Sequence, residues 1–212
     1  MFWSMFSHRR SKRLESAHFH ENTKVEVLWT IIPLLILVGM AIPATRTLIH
    51  IYDASESDVD IQVTGYQWKW HYKYQDEGIE FYSSLARPSL DARRLDSGVD
   101  VNRVDNYLLD VDRPVVVPVG AKVRLLLTSN DVIHSWWVPE LAIKKDAIPG
   151  IVNETWFKAT EVGTYRGQCT ELCGKDHGYM PIVVEVVEPE AFQAWVETRK
   201  DGDTKLASAG KE

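Results

Sequence analysis

Cysteine is almost absent from this sequence. Only Cys169 and Cys173 occur in 212 residues. A multiply cross-linked scaffold is therefore excluded, and one disulfide, a metal site or two free thiols remain open. Basic charge is scarce after the N-terminal quarter. Residues 53–212 carry eighteen Lys/Arg against twenty-seven Asp/Glu, net −9, whereas residues 1–52 carry six against three, net +3. That acidic balance argues against nucleic acid and for a basic partner, if the partner is charged. The opening MFWSMFS has no charged start and no cleavage site, so it is not a secretory signal.

Long apolar runs are equally scarce, with one exception. Val27 to Thr45 holds no charge over nineteen residues, just enough helix to cross the hydrocarbon core of a bilayer. Trp29 stands near one end, where an indole suits the interface. Pro33 and Pro43 would break a soluble helix but are tolerated inside a membrane. Arg9, Arg10, Lys12, Arg13 and Lys24 precede the run and only Arg46 closely follows it. The positive-inside rule then puts the N-terminal side in the cytoplasm and residues after Tyr52 outside. The short stretch 1–7 reads as the tail of a first membrane helix or as an interfacial anchor. Residues 14–26 read as a polar connection, with His18 and His20 as surface residues. Glu26 lies at the cytoplasmic mouth of the span, where a carboxylate is costly unless it meets water or a partner.

Beyond Tyr52 the pattern changes to period two. Val59, Ile61 and Val63 alternate with polar residues, and aromatics recur at 66, 68, 70, 72 and 74, which predicts five rings on one face of a strand. Residues 85–106 lack periodicity and are expected to form a long loop. Short strands are expected at 115–117, 122–128, 132–139, 152–159, 165–168 and 181–187. A turn is expected at Asp146–Gly150. Many short strands separated by turns indicate a β-sandwich or barrel. A helical pattern with Phe192, Trp195 and Val196 should run from Glu188 to Thr198, before a disordered polar tail. The expected organisation is therefore a first-helix remnant and loop over 1–25, a membrane helix over 26–52, an outer domain over 53–197 and a tail over 198–212.

The most informative stretch is GQCTELCGKDHGYMP, residues 167–181. Cys169, Cys173, His177 and Met180 form a soft donor set suited to copper, zinc or iron–sulfur, and poorly to magnesium or calcium. A single blue-copper site needs two histidines, one cysteine and a weak methionine. This chain offers a second histidine, His134, but also a second cysteine. Two thiolates can bridge two copper ions, with His134 and His177 on one ion each, Met180 as a weak ligand and the Glu171 carbonyl filling the remaining gap. Structural zinc on Cys169, Cys173, His177 and His134 would leave Met180 idle, and its usual cysteine spacings differ. A Cys169–Cys173 disulfide would explain neither His177 nor Met180.

Five motifs carry a family resemblance: CTELCGKDHGYMP at 169–181, DVIHSW at 131–136, DAIPG at 146–150, GYQWKW at 65–70 and VEVLWTIIP at 25–33. Together they resemble subunit II of haem–copper cytochrome c oxidase from about His18 to Trp195. The resemblance implies an all-β cupredoxin-like Greek-key barrel after a transmembrane α-helix. It implies a dinuclear copper (Cu-A) centre on His134, Cys169, the Glu171 main-chain oxygen, Cys173, His177 and Met180. It also implies magnesium at the Glu171 side chain, shared with subunit I. Trp68 would be the point of electron entry, Asp131 part of the cytochrome c docking surface, and Glu26 the entrance of a proton pathway. The implied partners are subunits I and III, cytochrome c and membrane lipid. The implied site is the bacterial inner membrane with the copper domain periplasmic, or its mitochondrial intermembrane-space equivalent. Two departures stand out. The first of the family's two membrane helices is present only as MFWSMF, and Lys69 occupies a position where many relatives carry tyrosine. The alternative function is the copper domain of a nitrous or nitric oxide reductase.

Overall fold

The computed structural model describes residues 2–9 and 20–209, with side chains as far as 200. His18, and residues 14–19 of the expected polar connection, lie outside them. The chain divides into two compact units, Met1–His50 and Ile51–Glu212.

The first unit is helical. α1 spans Phe2–Ser7 and leaves Phe2, Trp3, Met5 and Phe6 exposed. α2 spans Thr23–Tyr52 and contains Pro33 and Pro43. No α2 residue is buried, although most of its surface is apolar, which suits lipid rather than water. Among the described residues it is the one helix long and apolar enough to cross a membrane. Its start is capped. Val25 N–H donates to Asn22 Oδ1 at 3.3 Å, and Asn22 N–H donates to Glu26 Oε1 at 3.3 Å. Glu26 thus satisfies a helix-end donor, close to the reciprocal pattern of a capping box. His20 is exposed, as expected of a surface residue.

The second unit is two five-stranded sheets facing each other. The first sheet has the order β3-β2-β1-β5-β8. Its strands are β1 (Val59–Tyr66), β2 (Lys69–Tyr74), β3 (Glu80–Ser83), β5 (Lys122–Ser129) and β8 (Asn153–Lys158). The second has the order β4-β10-β9-β6-β7. It is built from β4 (Val115–Pro118), β6 (His134–Val138), β7 (Ile143–Ala147), β9 (Gly163–Cys169) and β10 (Pro181–Val187). Alternation decides which faces meet. In β5, Val123, Leu125, Leu127 and Ser129 are buried while the residues between them are not, the signature of a strand with one wet face.

Four aromatic side chains connect the sheets through polar tips as well as ring area. The Tyr74 hydroxyl donates to Val116 O at 2.9 Å and accepts from Val116 N–H at 3.0 Å. Trp136 Nε1–H donates to the Tyr72 hydroxyl at 3.2 Å. Trp70 Nε1–H donates to Met180 O at 3.3 Å, tying the first sheet to the loop after β9. All four rings are essentially buried. Each removes enough apolar area from water to contribute roughly 1.5–3 kcal/mol, and each polar tip has its partner.

Several sequence expectations are corrected. The aromatic series 66–74 is not one strand. The chain turns at Gln67-Trp68, and only Trp70, Tyr72 and Tyr74 share the buried face of β2. The turn moves the buried face from odd positions in β1 to even positions in β2, with Gly65 opposite Trp70 and Tyr66 opposite Lys69, so Tyr66 lies on the other face although the aromatics recur at every second position. The expected loop 85–106 contains α3 (Arg87–Ala92) and a 3-10 turn at Val101–Arg103. Two strands, β3 and β7, were not anticipated, and β7 runs into the expected Asp146–Gly150 turn. The C-terminal helix α4 runs from Pro189 to Ala209, past the expected end at Thr198 and into the tail expected to be disordered. No proline interrupts 190–209, and an interior glycine there costs only about 1 kcal/mol. Phe192 and Val196 seat this helix on the core, as their spacing indicates.

An ion pair on the outer face of the first sheet has a pH signature. Arg124 Nε–H donates to Asp60 Oδ1 at 2.9 Å, and a second guanidinium bond reaches Oδ2. The Arg124 bond holds the Asp60 carboxyl below its usual value against the opposing effect of burial. A depressed acid stabilises the fold above its unfolded value and loses that contribution as pH falls through its folded value. Asp60→Asn is therefore expected to destabilise the chain above about pH 4. The gap to wild type should close as the solution becomes more acidic. Urea unfolding at a series of pH values checks this, and a gap that persists unchanged at pH 2 would sink it.

Candidate metal centre

His134 opens β6 and is fully buried. Its Nε2–H donates to Asp131 Oδ1 at 2.8 Å, which leaves the Nδ1 lone pair facing Cys169 Sγ at 3.9 Å. Orienting an imidazole through its far nitrogen is how proteins prepare a histidine ligand. The ring is also held edge-on by Trp70 at 5.8 Å. Gly65 makes room for it, because a Cβ there would lie 2.7 Å from His134 Cδ2.

Cys169 ends β9, and Cys173 follows within the same loop. Both are buried and unpaired. Their sulfurs lie 3.9 Å apart, far beyond a disulfide bond of about 2.05 Å. Two metal–sulfur bonds of about 2.3 Å could span that gap. Around this pair stand the remaining donors. His177 Nδ1 is 3.5 Å and Met180 Sδ 3.6 Å from Cys173 Sγ. Glu171 O lies 3.4 Å from Cys169 Sγ. The ligand atoms of His134, Cys169 and Cys173 all fall within 4.8 Å of one another. The donor set therefore fits a soft metal centre, with the buried Met180 facing sulfur as a weak ligand would. Structural zinc would not use that thioether.

The metal-free electrostatics are uneven. Burial works to raise the Cys169 thiol, but the His134 contact and the backbone of Ser135 and Glu171 bring it below its ordinary value. Cys173 is pushed up to about 12, by burial first and then by Cys169. Burial works against the His134 cation, yet Cys169 and Asp131 lift it above the usual imidazole value. One thiol is thus favoured as a thiolate while its neighbour keeps its proton, as two like charges this close require. Metal binding must displace that proton.

The β1–β2 turn caps the cluster. Gln67 Nε2–H donates to Cys173 O at 2.8 Å, and Gln67 N–H donates to Asp131 Oδ2 at 2.7 Å. Trp68 is half-buried against the loop. A Cβ on Gly174 would sit 3.0 Å from Trp68 Cζ2, and Gly174 has φ +122°, a conformation open chiefly to glycine. Lys175 Nζ lies 5.4 Å above the Trp68 ring. Asp131, expected at a docking surface, also joins His134 to the Gln67 turn. Glu171 is exposed. Glu26 belongs to the helical unit. Sequence reasoning missed Gly65, Gln67 and Gly174. The hairpin turn that would have pointed to them carries no turn-type dipeptide.

A two-sheet barrel with a buried thiol–imidazole–thioether cluster at one end defines a cupredoxin-like metal domain, here carried by a chain with a membrane-spanning helix. The family described as cytochrome C oxidase subunit II, periplasmic domain, matches residues 59–187, and its transmembrane domain matches residues 1–47. The chain is 45% identical over 196 residues to a probable cytochrome c oxidase subunit 2 of Rickettsia bellii, covering 92% of this chain and 68% of that protein. It is 39% identical over 214 residues to cytochrome c oxidase subunit 2 of Cereibacter sphaeroides, covering 96% and 69%. Against the Rickettsia felis relative it spans only 58% of the length. Among solved structures, the periplasmic domain of subunit II of cytochrome oxidase of Bradyrhizobium japonicum is similar at 43% identity and TM-score 0.61, covering 70% of this chain and 98% of that one. A second, at 43% identity and TM-score 0.57, is a mixed disulfide intermediate of a thioredoxin-like protein with subunit II of cytochrome c oxidase, covering 71% and 96%. The chain belongs to the cytochrome c oxidase subunit II family. It is a membrane protein of the haem–copper oxidase class, and its family implies a copper centre. The reductase alternative finds no support in these matches.

Proposed function

We propose that this chain is the electron-entry subunit of a cytochrome c oxidase. It accepts electrons from cytochrome c near Trp68 and passes them through a dinuclear copper centre to haem in subunit I. There oxygen is reduced, coupled to proton pumping. The observation that carries this reading is the convergence of Cys169, Cys173, His134, His177, Met180 and the Glu171 carbonyl around one sulfur pair.

In this reading Cys169, Cys173, His134, His177, Met180 and the Glu171 carbonyl would hold the copper. Copper held there supplies one-electron exchange. The chain's own residues do the rest. The barrel fixes the donors so that little moves on each transfer. Burial excludes water from the sulfurs. Asp131 holds the His134 ring, and the Gln67 bond joins the Trp68 turn to the Cys173 carbonyl, a short route from surface to centre. The exposed Glu171 carboxylate would take magnesium at the face shared with subunit I, and Glu26 would admit protons. The net −9 outer domain attracts a basic cytochrome c, most strongly at low ionic strength. By the family's topology the copper domain lies on the periplasmic side of a bacterial inner membrane. Were Cys169 and Cys173 oxidised to a disulfide, a thioredoxin-like dithiol would reduce them by exchange through a mixed disulfide, the kind of complex formed by the second structural relative.

Stopped-flow oxidation of ferrocytochrome c by the copper-loaded chain tests the reading. Saturable oxidation that weakens with salt supports it, and no electron uptake would refute it. Docking carries a further expectation. Lys69 Nζ sits 4.2 Å over the Tyr82 ring beside Trp68, and Lys175 stands over Trp68 itself. Both cations oppose a basic partner. Lys69→Tyr should lower KM for cytochrome c at low salt, by no more than about fivefold, since one surface charge contributes under about 1 kcal/mol. An unchanged or raised KM would contradict it.

A further inference from the structure

The turn that delivers two of the metal donors is weakly held from within. Residues His177–Tyr179 form a three-residue 3-10 turn, with Asp176 as its N-cap and Met180 just after it. Its backbone bonds are His177 N–H to Gly174 O at 3.2 Å and Tyr179 N–H to Asp176 O at 2.9 Å. Such short turns have poor hydrogen-bond geometry. The Asp176 side chain does not cap the turn, so the restraint must come from elsewhere.

It comes from Arg93, at the end of α3. Arg93 Nη2–H donates to Asp176 Oδ1 at 3.2 Å. The same guanidinium lies over the Tyr179 ring at 4.0 Å. One planar cation therefore holds both ends of the turn. Its side chain is 26% exposed and that of Asp176 is 20% exposed, so this pair is less screened than an ordinary surface bridge. Stacking over an aromatic face adds an attraction that strengthens with desolvation.

Arg93 is itself anchored. Its N–H donates to Ser89 O at 3.0 Å. Ser89 is buried, and its hydroxyl accepts from Leu108 N–H at 3.1 Å. Ala86 N–H donates to Asp110 O at 2.9 Å, and Ser84 N–H donates to Asp112 Oδ1 at 2.7 Å. Arg166 of β9 pairs with Asp110 at 3.6 Å. Residues 84–112 thus form a strap fastened at both ends and laid against the metal loop.

We propose that Arg93 is a positioning residue for the metal centre, clamping the turn that brings His177 and Met180 to the Cys173 sulfur. The proposal rests on the reading of residues 169–180 as the copper-holding loop. Losing an outer partner of a metal ligand typically weakens the site 10–100-fold. In Arg93→Gln, neither the stack nor the charge survives. Arg93→Lys keeps the charge but not the planar fork or the stack.

The test uses the full chain in detergent, loaded with copper and challenged with excess chelator. Arg93→Gln should lose copper about tenfold faster than wild type, with Arg93→Lys in between. Its copper hyperfine splitting should shift, which a merely structural role would not cause. The metal-free melting temperature should stay close to wild type. Loss of copper at the wild-type rate with an unchanged spectrum would overturn the proposal. A wild-type chain that takes up no copper would overturn the metal reading instead. The clamp is then decided by alkylation of the metal-free chain with iodoacetamide. Cys173 should react several-fold faster in Arg93→Gln if the clamp exists, and equal rates would refute it.

Discussion

Replacing Cys173 with serine is expected to abolish the shared-electron copper signal and to slow electron uptake from cytochrome c by well over about 100-fold, more than the loss of an outer partner costs. The expectation follows from position. Cys173 Sγ is the hub of the cluster, within 3.9 Å of Cys169 Sγ, 3.5 Å of His177 Nδ1 and 3.6 Å of Met180 Sδ. A hydroxyl is a harder and shorter donor than a thiolate and does not hold a soft pair of ions. Serine nearly matches cysteine in size, so the 3% exposed site should still pack. Metal-free Cys173→Ser should melt near wild type while its copper spectrum is lost. Retention of the wild-type spectrum would remove Cys173 from the ligand set.

The largest expected loss of stability lies one strand away. Gly167→Ala places a methyl 2.0 Å from the Trp137 carbonyl oxygen and 2.8 Å from Val138 Cγ2. The obstruction is backbone, and the neighbouring ladder pairs Trp136 with Cys169 and Trp137 with Gln168. Relief requires β6 and β9 to separate where they pair next to Cys169. Overpacking of this kind costs about 3 kcal/mol or more, which lowers the melting temperature of a domain this size by roughly 6–12 °C. Gly163→Ala is the matched control, because its added methyl meets only the Tyr165 ring at 3.7 Å. Thermal unfolding of the two variants should separate them clearly. Equal melting temperatures would contradict the close approach of β6 and β9.

Donor chemistry explains why the centre was legible in the sequence. Cysteine, histidine and methionine announce soft-metal binding by residue type, so Cys169, Cys173, His177 and Met180 stood out within a single loop. His134 is 35 positions from Cys169, and the pairing of β6 with β9 is what places it beside that sulfur. Alternation made β5 plain, and a continuous run of β-branched residues did the same for β10. What escaped depends on contacts between distant segments. The Gln67–Trp68 turn is masked because aromatics recur at every second position on both sides of it, although the buried face changes from odd to even positions there. β7 is apolar only at Ile143 and Ala147, too sparse to read as a strand. Arg93 lies in a charged stretch without periodicity, and its meaning appears only when Asp176 and Tyr179 are placed beside it. Gly65 and Gly167 look like ordinary strand glycines until the space a methyl would fill is known.

Electron paramagnetic resonance of the copper-loaded chain tests the central claim most directly. If Cys169 and Cys173, whose sulfurs lie 3.9 Å apart, hold two copper ions together with His134 and His177 as proposed, the two nuclei would share one unpaired electron. The expected spectrum is a seven-line hyperfine pattern. A four-line pattern, from an electron held on a single copper, would contradict the dinuclear centre.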